Sequence, residues 1–212
     1  MAFDAILIDT DAVIVLAGSG LLQEALALLG LELGQAQRLP ALRSQLQRGR
    51  KFRKYAPEVR DAALAQAGGL VPATGARDTD LVDQLQRISG IDDGEAHLLA
   101  LLCESGSMLL ASGDKRALAA LTCHDSGSAG SVAQRVAGRI ICLEQVLRLL
   151  VVALGADTVG RAIRSACPDH ATFRVVFSDT NLARDDLCLD VLDQYILDLD
   201  AATGGTLLWR PE

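Results

Sequence analysis

Three acidic residues stand where their spacing could do chemistry. Asp9 closes the apolar run from Phe3 to Ile8, and Asp114 follows the apolar run from Met108 to Ala111 and the polar pair Ser112-Gly113. Glu95 lies in the first turn of the apolar segment Gly94 to Gly106. An acid placed just after a buried strand sits beyond the strand's carboxyl end, which is where open parallel α/β sheets bind ligands. A single acid there is often no more than the N-cap of the following helix. Two such acids joined by a third on an adjoining helix point to a site instead. Crowded carboxylates raise one another's pKa, at a cost that is relieved when a divalent cation lies among them. Hard oxygen donors of this kind select Mg²⁺ or Mn²⁺ over zinc. Such ions activate water and stabilise the leaving oxygen in phosphodiester cleavage. Asp11 and Asp93 are further candidate ligands in the same two segments.

These residues need elements to position them. Residues 3–8 read as a buried strand, and a second apolar run from Ala12 to Leu16 leads to the turn Gly18-Ser19-Gly20 and a helix closed by Gly30. Residues 35–66 read as one or two polar helices broken at Gly49 and Pro57, and 68–77 as a loop. Asp78 or Thr79 caps a helix ending near Ile88, and Asp92 or Asp93 caps the helix that carries Glu95. A strand at 108–111 and a helix from Lys115 follow, then a flexible loop from His124 to Ser131, a strand from Arg139 to Leu143 and a helix ending at Gly155. The tail reads as a helix at 157–166, a strand at 173–177 and a helix at 185–199. Strands alternating with helices predict an α/β fold of three layers, with a mostly parallel central sheet and helices on both faces. On this reading residues 1–148 form the main domain. Residues 149–212 form an α/β extension that packs on it or on a partner in a homodimer.

Half of the 212 residues are apolar, enough for a full core. The longest uncharged apolar stretch, Leu149 to Ala156, is far short of the roughly 20 residues a bilayer crossing needs, and no basic stretch precedes an apolar segment at the N-terminus. The expectation is a cytoplasmic protein without a membrane partner. Cys103, Cys123, Cys142, Cys167 and Cys188 are widely spaced among apolar neighbours and read as free, buried thiols. His97 is two residues from Glu95, about 200° round the helix, and so faces elsewhere. His124 and His170 fall in loops without metal-ligand spacing.

The net charge of −7 excludes a protein that coats nucleic acid indiscriminately, but the charge is unevenly spread. Arg38, Arg43, Arg48, Arg50, Lys51, Arg53, Lys54 and Arg60 face only one acid, Glu58, within residues 38–60. This basic island reads as a track for phosphates or as a solvated helix face. Phe52 is expected to pack in the core, and Tyr55 could stack on a base.

The run Ile8-Asp9-Thr10-Asp11 resembles the opening motif of PIN-domain nucleases. The block from Asp93 to Leu101 followed by Met108 to Ala117, with Glu95 19 residues before Asp114, is similar to the helix, strand and aspartate unit of that family. The resemblance spans residues 3–145 and is most specific over 91–118. It implies a PIN-like fold and a Mg²⁺- or Mn²⁺-dependent endoribonuclease, of an RNA-processing or toxin-like kind, that cleaves RNA phosphodiesters. Asp9, Glu95 and Asp114 would be catalytic metal ligands, and Thr10, Ser112, Lys115 and the basic residues Arg50, Lys51, Arg53 and Lys54 would meet RNA. An antitoxin-like protein partner is implied by the toxin members. The chain departs from the pattern at the fourth carboxylate, for which only Glu58 and Asp61 stand in the expected region. Two rival readings remain. Asp9-Thr10-Asp11-Ala12-Val13 also fits the signature of haloacid dehalogenase-like phosphatases, with Asp9 as nucleophile and Asp11 as acid. Against it, Ser112 and Lys115 flank Asp114 too closely for that family's later motifs. The other rival is a catalytically reduced binding module that acts through the basic island or the acidic C-terminal helix.

Overall fold

A computed structural model of the chain describes residues 3–123 and 128–211, with side chains apart from those of residues 50, 51, 123 and 128–131. Its strands are β1 (Ala5–Ile8), β2 (Ala36–Arg38), β3 (Val71–Pro72), β4 (Met108–Ser112) and β5 (Ile140–Cys142). All pair in parallel, in the order β3-β2-β1-β4-β5. The chain therefore moves outward from β1 to β3, returns past β1 to β4 and continues outward to β5. Connections leave the carboxyl ends of β1 and β4 toward opposite edges, and a crevice opens between them.

The helices are α1 (Thr10–Gly18), α2 (Leu22–Leu28), α3 (Leu42–Arg48), α4 (Pro57–Ala67), α5 (Thr79–Gln86), α6 (Asp93–Glu104) and α7 (Lys115–Cys123). They continue with α8 (Ser128–Val136), α9 (Leu143–Leu154), α10 (Ala156–Ala166), α11 (Ala171–Val176), α12 (Asp179–Leu182) and α13 (Asp185–Ala202). Successive strand residues point to opposite faces, so Ile6 and Ile8 join one core and Leu7 the other. The first core takes α1 to α4 and α9 to α11, and the second takes α5 to α8. Helices thus cover both faces, as the alternating sequence pattern predicts. Among the described residues no single helix is long and apolar enough to cross a membrane.

Several expectations are corrected. The apolar run from Ala12 to Leu16 belongs to α1, which starts at Thr10 directly after Asp9 and is buried at Thr10 and from Ala12 to Ala17. A helix enclosed on all sides shows no polar stripe, so periodicity does not reveal it. Residues 35–66 and 68–77 hide the short strands β2 and β3, of three and two residues. Segments this brief carry no readable alternation. Helix α8 starts at Ser128, inside the segment expected to be loop, while His124 lies outside the described residues.

The tail is not α/β. Residues 173–177, read as a strand, lie in and just after α11, with Phe173, Val176 and Phe177 buried against the first core. The spacing 173, 176, 177 is helical, and tertiary burial outweighs the β preference of Phe and Val. Helix α13 contributes Cys188 and Leu192 to the first core and Leu199 to the second, so it wraps the β5 edge. Beyond it, Leu208 makes a parallel bridge with Ile140, and the Trp209 amide donates to the Ile140 carbonyl at 2.6 Å. Residues 149–212 therefore share the core of the sheet. Cys142, Cys167 and Cys188 are buried and free, Cys103 is half-buried and free, and the side chain of Cys123 lies outside those described.

Candidate active site

Each of the three acids is held by local backbone chemistry. Asp9 occupies the N-cap of α1 in an extended conformation, and its amide donates to the Ala111 carbonyl at 2.9 Å, tying the end of β1 to the end of β4. Asp114 follows β4. Its Oδ1 accepts from the amides of Arg116 at 2.9 Å and Ala117 at 3.1 Å, capping α7, and its own amide donates to Ser112 Oγ at 3.2 Å. The Arg116 guanidinium reaches Asp114 Oδ2 at 3.3 Å. Glu95 belongs to a capping box on α6: Asp92 Oδ1 accepts from the Glu95 amide at 2.9 Å, and Glu95 Oε2 accepts from the Asp92 amide at 2.7 Å.

The fold then brings Glu95 and Asp114 side chain to side chain, where they share a hydrogen bond. Glu95 is only 9% exposed. Burial, the Asp114 hydrogen bond and the charges of Asp114 and Asp92 push its pKa up to about 8, against the lowering effect of the Asp92 amide. Asp114 is held below the ordinary range. Burial works against this, but hydrogen bonds from Glu95, the Ala117 amide and Arg116 prevail. Of the two, Glu95 is the group whose protonated form is favoured and Asp114 the one whose carboxylate is favoured.

Asp9, Thr10 and Glu95 line one cleft of about 450 Å³ at the carboxyl edge of the sheet, with Asp92 and Asp93 at its side. Thr10 is buried, and its hydroxyl donates to Gln45 Oε1 at 3.2 Å. Asp114 lines a neighbouring cavity of about 310 Å³ with Gly113, Lys115, Glu144 and His170. Asp11 stands beside Gly113, since a Cβ built there would lie 4.0 Å from the Cβ of Asp11. Asp9 and Glu95 therefore share one cleft, and Asp114 stands against Glu95 from the neighbouring cavity. Among the described residues no three His, Cys, Asp or Glu side chains converge closely enough to form a ready-made metal cage.

The other expected contacts divide. Lys115 is engaged: its Nζ lies 2.7 Å from Glu144 Oε1 and 4.5 Å from the centre of the Tyr195 ring. Arg38 leaves the basic island altogether. It is 6% exposed, and it donates to the carbonyls of Ala67 at 3.1 Å and Leu39 at 3.2 Å. Arg53 and Lys54 are exposed on the 3-10 turn Arg50–Lys54, and the side chains of Arg50 and Lys51 lie outside those described. Phe52 is buried in the core and also forms a wall of the cleft. Tyr55 is 7% exposed, with Lys54 Nζ 5.0 Å from its ring, so it is a core residue, not a stacking platform. Glu58 and Asp61 are exposed on α4, and neither lines the cleft.

Glu144 escaped the sequence reading, and His170 was set aside there as a loop residue. Glu144, 5% exposed, stands two residues past β5, so three strand tips carry acids. The rule that singled out Asp9 and Asp114 applies equally to Glu144. His170 is brought from the tail to the cavity beside Asp114 and Glu144, with its ring stacked on Phe173 at 3.9 Å. No local signal could show this, because the placement depends on α10 and α11 packing over α1.

The side-chain donors of Asp9, Glu95 and Asp114 are carboxylate oxygens, the donor type that hard divalent cations take. No family model, curated protein or solved structure matches the chain.

Proposed function

We propose that the chain is a Mg²⁺- or Mn²⁺-dependent endoribonuclease with a PIN-like arrangement of acids. The observation that carries this reading is the juxtaposition of Glu95 with Asp114, in a crevice whose other wall holds Asp9 at the adjacent strand tip. Two carboxyl groups this close resist ionising together, so one keeps a proton. They are well suited to exchange that proton for a divalent cation. Glu95, Asp114 and Asp9 would hold the metal, which supplies a water of lowered pKa and charge stabilisation at phosphorus. Arg116, which pairs with Asp114 Oδ2 here, would give up that contact in such a state. Its guanidinium is mostly exposed and free to pair with an RNA phosphate instead. Thr10 holds Gln45 at the cleft wall, and Arg53 and Lys54, exposed on the turn whose Phe52 forms part of that wall, would draw a polyanion toward an acidic centre.

The capping roles of Asp114 and Glu95 favour a second reading, a PIN-like binding module with little turnover. In it these acids serve only to start α7 and α6. The test is cleavage of labelled single-stranded and hairpin RNA with Mg²⁺ or Mn²⁺, beside p-nitrophenyl phosphate. Asp114→Asn is the control, since asparagine keeps the helix cap. RNA cleavage abolished by Asp114→Asn supports the nuclease. Phosphatase activity that requires Asp9 supports the haloacid dehalogenase-like alternative, and inactivity on both supports the binding module.

A further inference from the structure

The acidic cleft does not end at Glu95. It continues past Gly94 into a second cavity of about 360 Å³ above the carboxyl ends of β2 and β3. The two cavities share Leu39, Gln45, Asp93 and Gly94 as walls. Gly94 keeps the passage open: a Cβ there would stand 3.3 Å from both Leu39 Cδ1 and Asp92 Oδ1. The slot itself is mostly apolar, walled by Leu39, Pro40 and Leu101, with Thr74 and Gly75 closing one side. Its size falls within the range of about 300–1,000 Å³ common to small-molecule sites.

Two polar groups enter this apolar slot with their hydrogen-bonding roles already set. Gln45 Oε1 accepts from the Thr10 hydroxyl, which leaves the amide NH₂ as the group that can donate. His97 Nδ1 lies 2.7 Å from the Asp93 carbonyl oxygen. A carbonyl can only accept, so Nδ1 donates to it, and in the neutral form of the ring that leaves Nε2 as an acceptor. One donor and one acceptor between apolar walls match the edge of a heterocyclic base, and because A and C present the complementary donor and acceptor in the opposite order to G and U, a fixed pair discriminates between them.

We propose that this slot binds the base of the nucleotide next to the scissile phosphate, with Gln45 and His97 reading its edge. The proposal rests on the nuclease reading for its substrate class, and it makes His97 a specificity residue. His97 does face away from Glu95, as the helix geometry predicts, and the face it occupies is the wall of the next subsite.

The test uses protein labelled with ¹⁵N at its three histidines, titrated without metal with AMP, GMP, CMP and UMP and with ribose 5-phosphate. At least one mononucleotide is expected to shift the His97 Nε2 resonance, ribose 5-phosphate to leave it unmoved, and Thr74→Trp, an exposed loop position at the slot, to abolish the response. No shift with any mononucleotide, or an equal shift with ribose 5-phosphate, overturns the proposal. In cleavage of homopolymeric RNA, the preferred base should exceed the others by about tenfold in kcat/KM, and His97→Ala should bring them within about threefold. An unchanged preference in His97→Ala also overturns it. Base-dependent shifts in a protein that cleaves no RNA uphold the slot and refute the nuclease reading. Cleavage without shifts does the reverse.

Discussion

The Glu95–Asp114 pair makes folding stability depend on pH in a way that a single substitution can isolate. Glu95 has its pKa raised from the ordinary 4.5 to about 8 in the folded protein. Its contribution is therefore fully present below pH 4.5 and is lost as pH rises through 8. Between those values the folded chain holds a proton that the unfolded chain has released, so stability falls with rising pH. One proton corresponds to a slope of about 1.4 kcal/mol per pH unit, or about 2.5 kcal/mol from pH 5.5 to 7.5. Water in the cleft screens the pair, which brings the expected loss to about 1.3–2.5 kcal/mol. Glu95→Gln removes the titration but keeps both hydrogen bonds, because the amide NH₂ donates to Asp114 and the amide oxygen accepts from Asp92. His170 works in the opposite sense. Burial and Lys54 lower its pKa, so its contribution rises as pH climbs toward 6.5. Asp114, held low, matters only at more acid pH. Both other groups are common to the wild type and the variant, so the difference between the two urea-denaturation series, run in EDTA at pH 5.5, 6.5 and 7.5, reports Glu95. A difference that stays within about 0.5 kcal/mol across the range, or one in which the wild type gains on the variant as pH rises, refutes the shared proton. The same measurements with Mg²⁺ should flatten the difference, since cation and proton compete for one pair of carboxylates.

Other consequences follow from the packing. Gly160→Val on α10 should destabilise the protein by about 1–3 kcal/mol in thermal melts, because a Cβ at that position would stand 2.1 Å from Leu182 Cδ2 and 2.9 Å from Phe177 Cδ1. A single cooperative transition at lower temperature is the expected form, as the tail shares the core with Ile6 and Ile14; a wild-type-like main transition with a separate tail transition would contradict that. Lys115→Met leaves Glu144 buried without its cation and should cost about 1–3 kcal/mol, whereas Lys115→Met with Glu144→Gln should recover most of the loss. Urea titration of the two variants would show additive losses if the ion pair were idle. Asp92→Ala removes the N-cap of α6 and should cost about 1 kcal/mol by chemical denaturation. It also frees the Glu95 carboxyl from the Asp92 side chain's charge, so the pH at which Glu95 titrates, followed by carboxyl NMR, should fall. An unchanged or higher value would show that Asp92 does not act on it.

The α/β layering, the strands at 5–8, 108–112 and 140–142, and the caps of α5 and α6 were legible from local sequence, because each rests on interactions within a few residues: an apolar run too short for a helix, or an aspartate placed to accept from amides three positions on. The positions of Asp9, Glu95 and Asp114 were legible for the same reason, since an acid at a strand tip or in a first helical turn is a local fact. What local sequence did not determine is where those acids stand relative to one another. Parallel pairing of β1 with β4 sets the strand tips that carry Asp9 and Asp114 side by side although they are about a hundred residues apart in the chain, and the packing of α6 on β4 brings Glu95 against Asp114. Burial against distant helices likewise turned residues 173–177 into a helical turn, drew Arg38 out of the basic island, and carried His170 to the cavity beside Glu144. Each of these depends on which surfaces meet. A residue's neighbours in sequence determine its hydrogen-bonding options, but its charge state and partners are decided by the groups that tertiary packing brings against it.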